Sequence, residues 1–135
     1  MPREAVYTSN APQPRPQLSQ AIKCNGMVYC SGQLGVDPKT AKVVEGSVKD
    51  RARQVLRNVS AVLAAAGTSI DNVVKVNIFL ISMADFVSVN EVYDEFFTAL
   101  PKPCRTCVAV HQLPGGSDVE IECIATLERK DKANL

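Results

Sequence analysis

Apolar residues recur at two spacings along this chain, and each spacing predicts a different kind of element. Val48, Ala52, Val55, Leu56, Val59, Val62, Leu63 and Ala66 fall on one stripe at helical spacing. Ser47 can cap that helix, with Asp50 three residues on, and Gly67 is a natural stop. Lys49, Arg51, Arg53 and Arg57 lie on its other faces and read as a solvated surface. A second helix opens at Ser82, with Asp85 three residues on. Phe86, Val89, Tyr93, Phe96 and Phe97 form its stripe, and Asn90 lies beside it, where a lone amide reads as a satisfied core group.

Elsewhere the period is two. Val6 to Thr8 reads as a short first strand, and Asn10 to Pro16, with three prolines, as a loop. Gln20 to Lys23 leads into Asn25-Gly26, a type I′ hairpin signal. Met27 to Ser31 returns and ends at Gly32-Gln33, and Asp37 to Thr40 is turn chemistry. Val73 to Ile81 places Val74, Val76, Ile78 and Leu80 on one face, against Lys75, Asn77 and Phe79 on the other. Cys104 to His111 and Val119 to Leu127 read as a closing hairpin around the turn residues 113–118. The order is β-β-β-α-β-α-β-β. It predicts an α+β fold: a mixed six-stranded sheet with both helices on one face. Val73 to Ile81 and Cys104 to Val110 look apolar on both sides, so the second face is expected to be buried by other copies of the chain.

Length and composition narrow this reading. A chain of 135 residues makes one domain, 1–135, with a polar tail over 129–135 expected to fray. Fifteen basic and fourteen acidic side chains give a formal charge of +1, which supplies no electrostatic argument for nucleic acid. The five cysteines, at 24, 30, 104, 107 and 123, are odd in number, which points to a reducing compartment. Met1 to Asn10 has neither the apolar core of a signal peptide nor an arginine-rich amphipathic pattern. The longest apolar run, Val59 to Gly67, is too short to span a bilayer. A soluble intracellular protein with no membrane partner is the expectation, in the cytoplasm, or the mitochondrial matrix if a leader has been removed.

The candidate chemistry lies in the closing segment. Arg105, Glu120 and Glu122 are charges on mostly apolar strands. A guanidinium there needs an anion, because desolvating it alone is costly. Its partner is either a protein glutamate or the carboxylate of a ligand held in a bidentate pair. Cys104 and Cys107 have C-x-x-C spacing, but strand positions i and i+3 point to opposite faces, so packing is preferred to metal or redox work. His111, the only histidine, has no nucleophile tied to it by motif and reads as a surface or loop-edge residue. Gly32 ends a strand, which makes a bulge or lets a ligand approach the backbone. No Walker, Rossmann, zincin or nucleophile-elbow pattern is present.

Several blocks, in order, resemble the YjgF/Rid family of reactive intermediate deaminases. They are Ser19 to Ile22, Val28 to Leu34, Val73 to Leu80, Asp85 to Tyr93 and, most specifically, Arg105 to Val110 with Leu113-Pro114 and Val119 to Ala125. The resemblance covers about Tyr7 to Leu127. It implies a chorismate-mutase-like fold and a homotrimer with active sites between subunits. It also implies hydrolysis of 2-aminoacrylate, 2-iminopropanoate and 2-iminobutanoate to 2-keto acids and ammonia, with no metal or organic cofactor. By the same resemblance Arg105 clamps the substrate carboxylate and Glu120 handles the water or the proton. Gly32 and Cys107 complete the pocket with backbone N–H groups, and Asn90 supports the cleft. Glu122 is not a catalytic position of the family and is expected to pair with a lysine or arginine. One position departs: Leu18 stands where the family motif usually carries a tyrosine facing the site. That departure motivates a second reading, a ligand-binding or protein-interaction trimer without catalysis. A third, RNA-cleaving translation inhibition, comes from other family members.

Overall fold

The computed structural model describes residues 2–127, so the tail at 129–135 lies outside the described residues. Six strands form one sheet: β1 (Glu4–Val6), β2 (Ala21–Cys24), β3 (Met27–Leu34), β6 (Val73–Leu80), β7 (Cys104–Ala109) and β8 (Val119–Thr126). Two further strands, β4 (Val36–Asp37) and β5 (Lys42–Val43), make a small separate hairpin around the expected turn. The helices are α1 (Val48–Ala66) and α2 (Phe86–Phe96). The layout is the mixed α+β sheet read from the pattern. No helix among the described residues is long and apolar enough to cross a membrane.

Local chemistry explains the helix ends and the first turn. Asp50 Oδ2 accepts from the Ser47 backbone N–H at 2.9 Å and from Ser47 Oγ at 3.2 Å. Gly67, at φ 92°, closes α1 through bonds to Ala64 and Leu63 carbonyls. Ser82 Oγ accepts from the Ala84 N–H at 3.1 Å, and a single 3₁₀ turn, Met83–Asp85, precedes α2. Asn25 and Gly26 both take positive φ, 52° and 76°, as a type I′ turn requires.

Strand order is β1-β2-β3-β8-β6-β7, and this corrects the closing hairpin. β7 and β8 are not neighbours: β6 lies between them, antiparallel to β8 and parallel to β7. A parallel pair needs a crossover rather than a tight turn, and α2 supplies it. Smaller differences follow from register. β1 sits two residues earlier than expected. β3 does not stop at Ser31 but runs through Gly32 to Leu34, with an irregularity between Cys30 and Gln33. A second irregularity, between Val73 and Lys75, takes Val74 out of the buried row; Val73 is buried and Val74 is 40% exposed.

The core lies between the sheet and the helices. Val28 and Cys30 of β3, Val76, Ile78 and Leu80 of β6, and Val119, Ile121, Cys123 and Ala125 of β8 meet the α1 stripe. Leu56 and Leu63 are fully buried, and truncating either to alanine costs about 2–5 kcal/mol. Three of the four α1 cations are not merely solvated. Lys49 pairs with Glu91 of α2, Arg53 with Glu95 of α2, and Arg51 with Asp118 just before β8.

Candidate active site

Alternation along paired strands decides which residues can meet. On β6, Val76, Ile78 and Leu80 face the helices, so Lys75, Asn77 and Phe79 face the open side. Glu120 pairs with Phe79 and Glu122 with Asn77, which puts both carboxylates on the open face. Arg105 pairs with Val76 and Cys107 with Ile78, which puts both on the helix face at the sheet edge. Within one chain, Arg105 and Glu120 therefore stand on opposite sides of the sheet. The candidate residues fall into two groups.

The acidic group lines a cleft of about 670 Å³. Leu18, Gly32, Glu120 and Glu122 all contribute to its wall, with Leu34 and Pro114. The loop on one side is fixed by Gln20, a buried amide. Its Nε2 donates to the Thr8 and Pro12 carbonyls at 3.0 Å each, and its Oε1 accepts from the Thr8 N–H at 2.7 Å. Ser31 Oγ donates to the Ser19 carbonyl at 2.6 Å, which ties the same loop to β3 beside Leu18. Asn58 of α1, also buried, donates to the Leu34 and Val36 carbonyls and holds the end of β3. Neither amide stood out in the sequence; both lie next to apolar stripes and are held mainly by main-chain groups, Asn58 also accepting from Gln54 Nε2 at 2.9 Å.

Gly32 allows the Glu120 side chain to lie against the backbone. A methyl group at Gly32 would stand 2.8 Å from the Glu120 carboxyl carbon. Burial, and secondarily the charge of Glu122, hold the Glu120 carboxyl above the ordinary carboxylate range. Among the described residues Glu122 pairs with no lysine or arginine. Asn77 Nδ2 donates to its Oε2 at 3.1 Å, while Lys75, the nearest cation on β6, donates instead to Thr106 Oγ1 at 3.1 Å. Register explains the exchange: Asn77, not Lys75, sits directly opposite Glu122.

The cationic group forms at the α2–β7 edge. The Arg105 guanidinium lies over the rings of Tyr93, at 4.7 Å, and Phe86, at 5.6 Å. Tyr93 is itself stacked on Phe97. The helical stripe contained all three aromatics, but nothing in its spacing marked two of them as a bed for a cation. Among the described residues no carboxylate lies within ion-pairing distance of Arg105. Asn90, half-buried, precedes Tyr93 by three residues on α2 and belongs to this group rather than to the cleft. Cys107 is half-buried, and burial pushes its thiol up despite the nearby Arg105 charge. Cys104 is exposed on the other face of β7, as the alternation argument requires. His111 is exposed in the loop after β7.

The chain thus carries a carboxylate-lined cleft on one sheet face and, on the other, a guanidinium with no carboxylate partner among the described residues. The comparisons supply its family. The Endoribonuclease L-PSP model matches residues 8–127, and the chain belongs to that family, the YjgF/Rid family of the sequence blocks. It is 42% identical over 127 residues to the 2-iminobutanoate/2-iminopropanoate deaminase of Dermatophagoides farinae, covering 94% of this chain and 98% of that one. It is 46% identical over 125 residues to the chloroplastic Reactive Intermediate Deaminase A of Arabidopsis thaliana, covering 93% and 66%. The crystal structure of the Rid protein YyfA from Yersinia pestis superposes with a TM-score of 0.91 at 40% identity, covering 93% of this chain and 100% of that one.

Proposed function

We propose that this chain hydrolyses the C=N bond of small 2-imino acids, giving 2-keto acids and ammonia. The candidate substrates are 2-aminoacrylate, 2-iminopropanoate and 2-iminobutanoate. The observation that carries the proposal is Arg105: a half-buried guanidinium bedded on two rings, with no carboxylate partner among the described residues. A substrate carboxylate would fill that place in a bidentate pair. The names of the mite and plant relatives support the same chemistry.

In this reading Glu120, in its protonated form, which burial favours, gives its proton to the imine nitrogen. Water adds to the imine carbon and returns a proton to the Glu120 carboxylate. Glu120 then protonates the amine of the carbinolamine, the C–N bond breaks, and ammonia leaves. The hydroxyl proton returns to Glu120 as the C=O bond forms. The sum is imine plus water to keto acid plus ammonia, with no change of oxidation state. The imine carbon is already electrophilic, so positioning and one proton carrier supply the catalysis.

Arg105 and Glu120 occupy opposite faces of one sheet, so a site that uses both is built from two copies. The open face has the surface for it: Tyr29 and Val108 are exposed there, beside half-buried Ile22, Phe79 and Ile124. A homotrimer with sites between subunits is the assembly we propose.

The test couples a pyridoxal-phosphate dehydratase or an amino-acid oxidase to this protein and follows imine decay and ammonia release. Acceleration that is lost in Arg105→Ala supports the proposal. No acceleration by a folded, assembled wild type overturns it. Leu18 would then favour the second reading, a carboxylate-binding trimer without catalysis. The family description names an endoribonuclease, but a formal charge of +1 offers RNA no electrostatic footing.

A further inference from the structure

Glu122 has no part in the reaction written above, yet it shares the cleft and the sheet face with Glu120. The two carboxyls are differently served. Asn77, directly opposite on β6, donates to Glu122 Oε2 at 3.1 Å and holds that carboxyl in place. Glu120 has Phe79 opposite it on β6 and Leu34 on β3, both apolar. Among the described residues no hydrogen bond reaches its carboxyl. Two carboxylates on one partly desolvated face do not both ionise cheaply, and unequal surroundings decide which one keeps the proton.

We propose that Glu122, anchored by Asn77, is a positioning residue: its fixed negative charge keeps the working proton on Glu120. The proposal rests on the imine-hydrolase reading for its meaning, though not for its test. Other groups facing the pair work against it or are neutral. Lys75 of β6 is directed to Thr106 of β7, and Arg15 lines the cleft from the proline loop. Both cations favour ionised carboxyls. Tyr29 and Ser31 of β3, Cys104 and Thr106 of β7 and Gln13 of the proline loop are further polar neighbours on this face or its rim. Without the Glu122 charge, Glu120 would face only the cations and release its proton more readily. The direction of the Glu120 shift, upward from burial and then from Glu122, agrees with this arrangement.

The experiment is a carbon-13 NMR titration of glutamate carboxyls in the assembled protein, with Glu120→Gln to assign the signal. In Glu122→Gln the Glu120 midpoint falls relative to wild type. In Asn77→Ala the Glu120 midpoint falls by a smaller amount, because Glu122 loses the donor that holds its carboxyl in place. An unchanged Glu120 midpoint in folded Glu122→Gln overturns the proposal. Should that variant not fold, an unchanged Glu120 midpoint in Asn77→Ala does so. In turnover, the pH limb set by Glu120 moves to lower pH in Glu122→Gln with KM for the imine unchanged. A purely structural role would lower kcat at every pH and leave the limb in place. An inactive wild type would refute the hydrolase reading, while the titration would still measure the coupling between the carboxyls.

Discussion

Asp118→Asn removes one charge and nearly preserves a side chain's shape, at the point where β8 begins. Asp118 receives two hydrogen bonds from Arg51, Nε to Oδ1 and Nη2 to Oδ2, both 2.8 Å. The same guanidinium donates from Nη1 to the Gly46 carbonyl at 3.0 Å. The two side chains are 21% and 18% exposed. Breaking a fully buried pair costs about 3–5 kcal/mol, and an exposed pair is worth about 0–1 kcal/mol. At one-fifth exposure the loss falls between, at about 2 kcal/mol. Unfolding entropy for a chain of 135 residues is about 0.28 kcal/mol/K, so Tm should fall by about 7 °C. The assay is denaturation at fixed protomer concentration, since assembly shifts apparent stability by mass action. Arg51→Met and the double variant complete a cycle with an expected coupling of about 1.5–2 kcal/mol. Additivity within about 0.5 kcal/mol would refute the reasoning and reduce the bridge to a surface pair. Asp118 lies two residues before Glu120, so imine turnover should fall as well.

Gly32→Ala would push the Glu120 carboxyl off the β3 backbone; hydrolysis should drop about 100-fold with Tm within a few degrees, and full activity would refute the packing argument. Leu18→Tyr puts a hydroxyl into the cleft wall. The ratio of kcat/KM for 2-aminoacrylate over a branched aliphatic imine should rise roughly tenfold, and an unchanged ratio would remove Leu18 from specificity. Acid unfolding separates carboxyls by sign. Hydrogen bonding from Arg53 lowers the Glu95 pKa, so its contribution is present at neutral pH and lost as pH falls through the carboxylate range. The Glu120 pKa is raised, so its charge costs stability at neutral pH and the cost vanishes in acid. Urea midpoints should therefore show Glu95→Gln less stable and Glu120→Gln more stable than wild type at pH 7, with both differences gone near pH 3.

Local signals transferred well from sequence to structure because they depend on local physics. The α1 stripe is buried at every named position except Val48, and the Ser47–Asp50 and Gly67 ends form as their side chains dictate. Non-local facts did not transfer. Turn residues at 113–118 serve a hairpin and a longer excursion equally, so the chain could not announce that β6 slides between β7 and β8. Val74 fits the alternation perfectly and is exposed because a bulge shifts the register beside it. Arg51 looked like one more solvated cation because its partner lies 67 residues away. The site residues were legible by type and not by place. Strand parity says which residues of one strand share a face, but only the pairing of β6 with both β7 and β8 relates Arg105 to Glu120.

That relation bears on how a carboxylate-binding arginine stays available. An arginine and a glutamate on one sheet face, within reach, would close into a bidentate pair, and an incoming carboxylate would have to displace it. Here the sheet itself separates them. Arg105 rests on the faces of Tyr93 and Phe86, a cation–π contact worth about 1 kcal/mol or somewhat more, far weaker than a charge-assisted pair. The rings occupy the guanidinium's face, and the N–H donors of any guanidinium lie in its plane, the direction from which a carboxylate binds. Glu120, on the other side, has Phe79 and Leu34 opposite it, and burial favours its protonated form. On the proposed reading, folding alone thus keeps anchor and proton carrier from neutralising each other, and they meet only when two chains associate with the substrate between them.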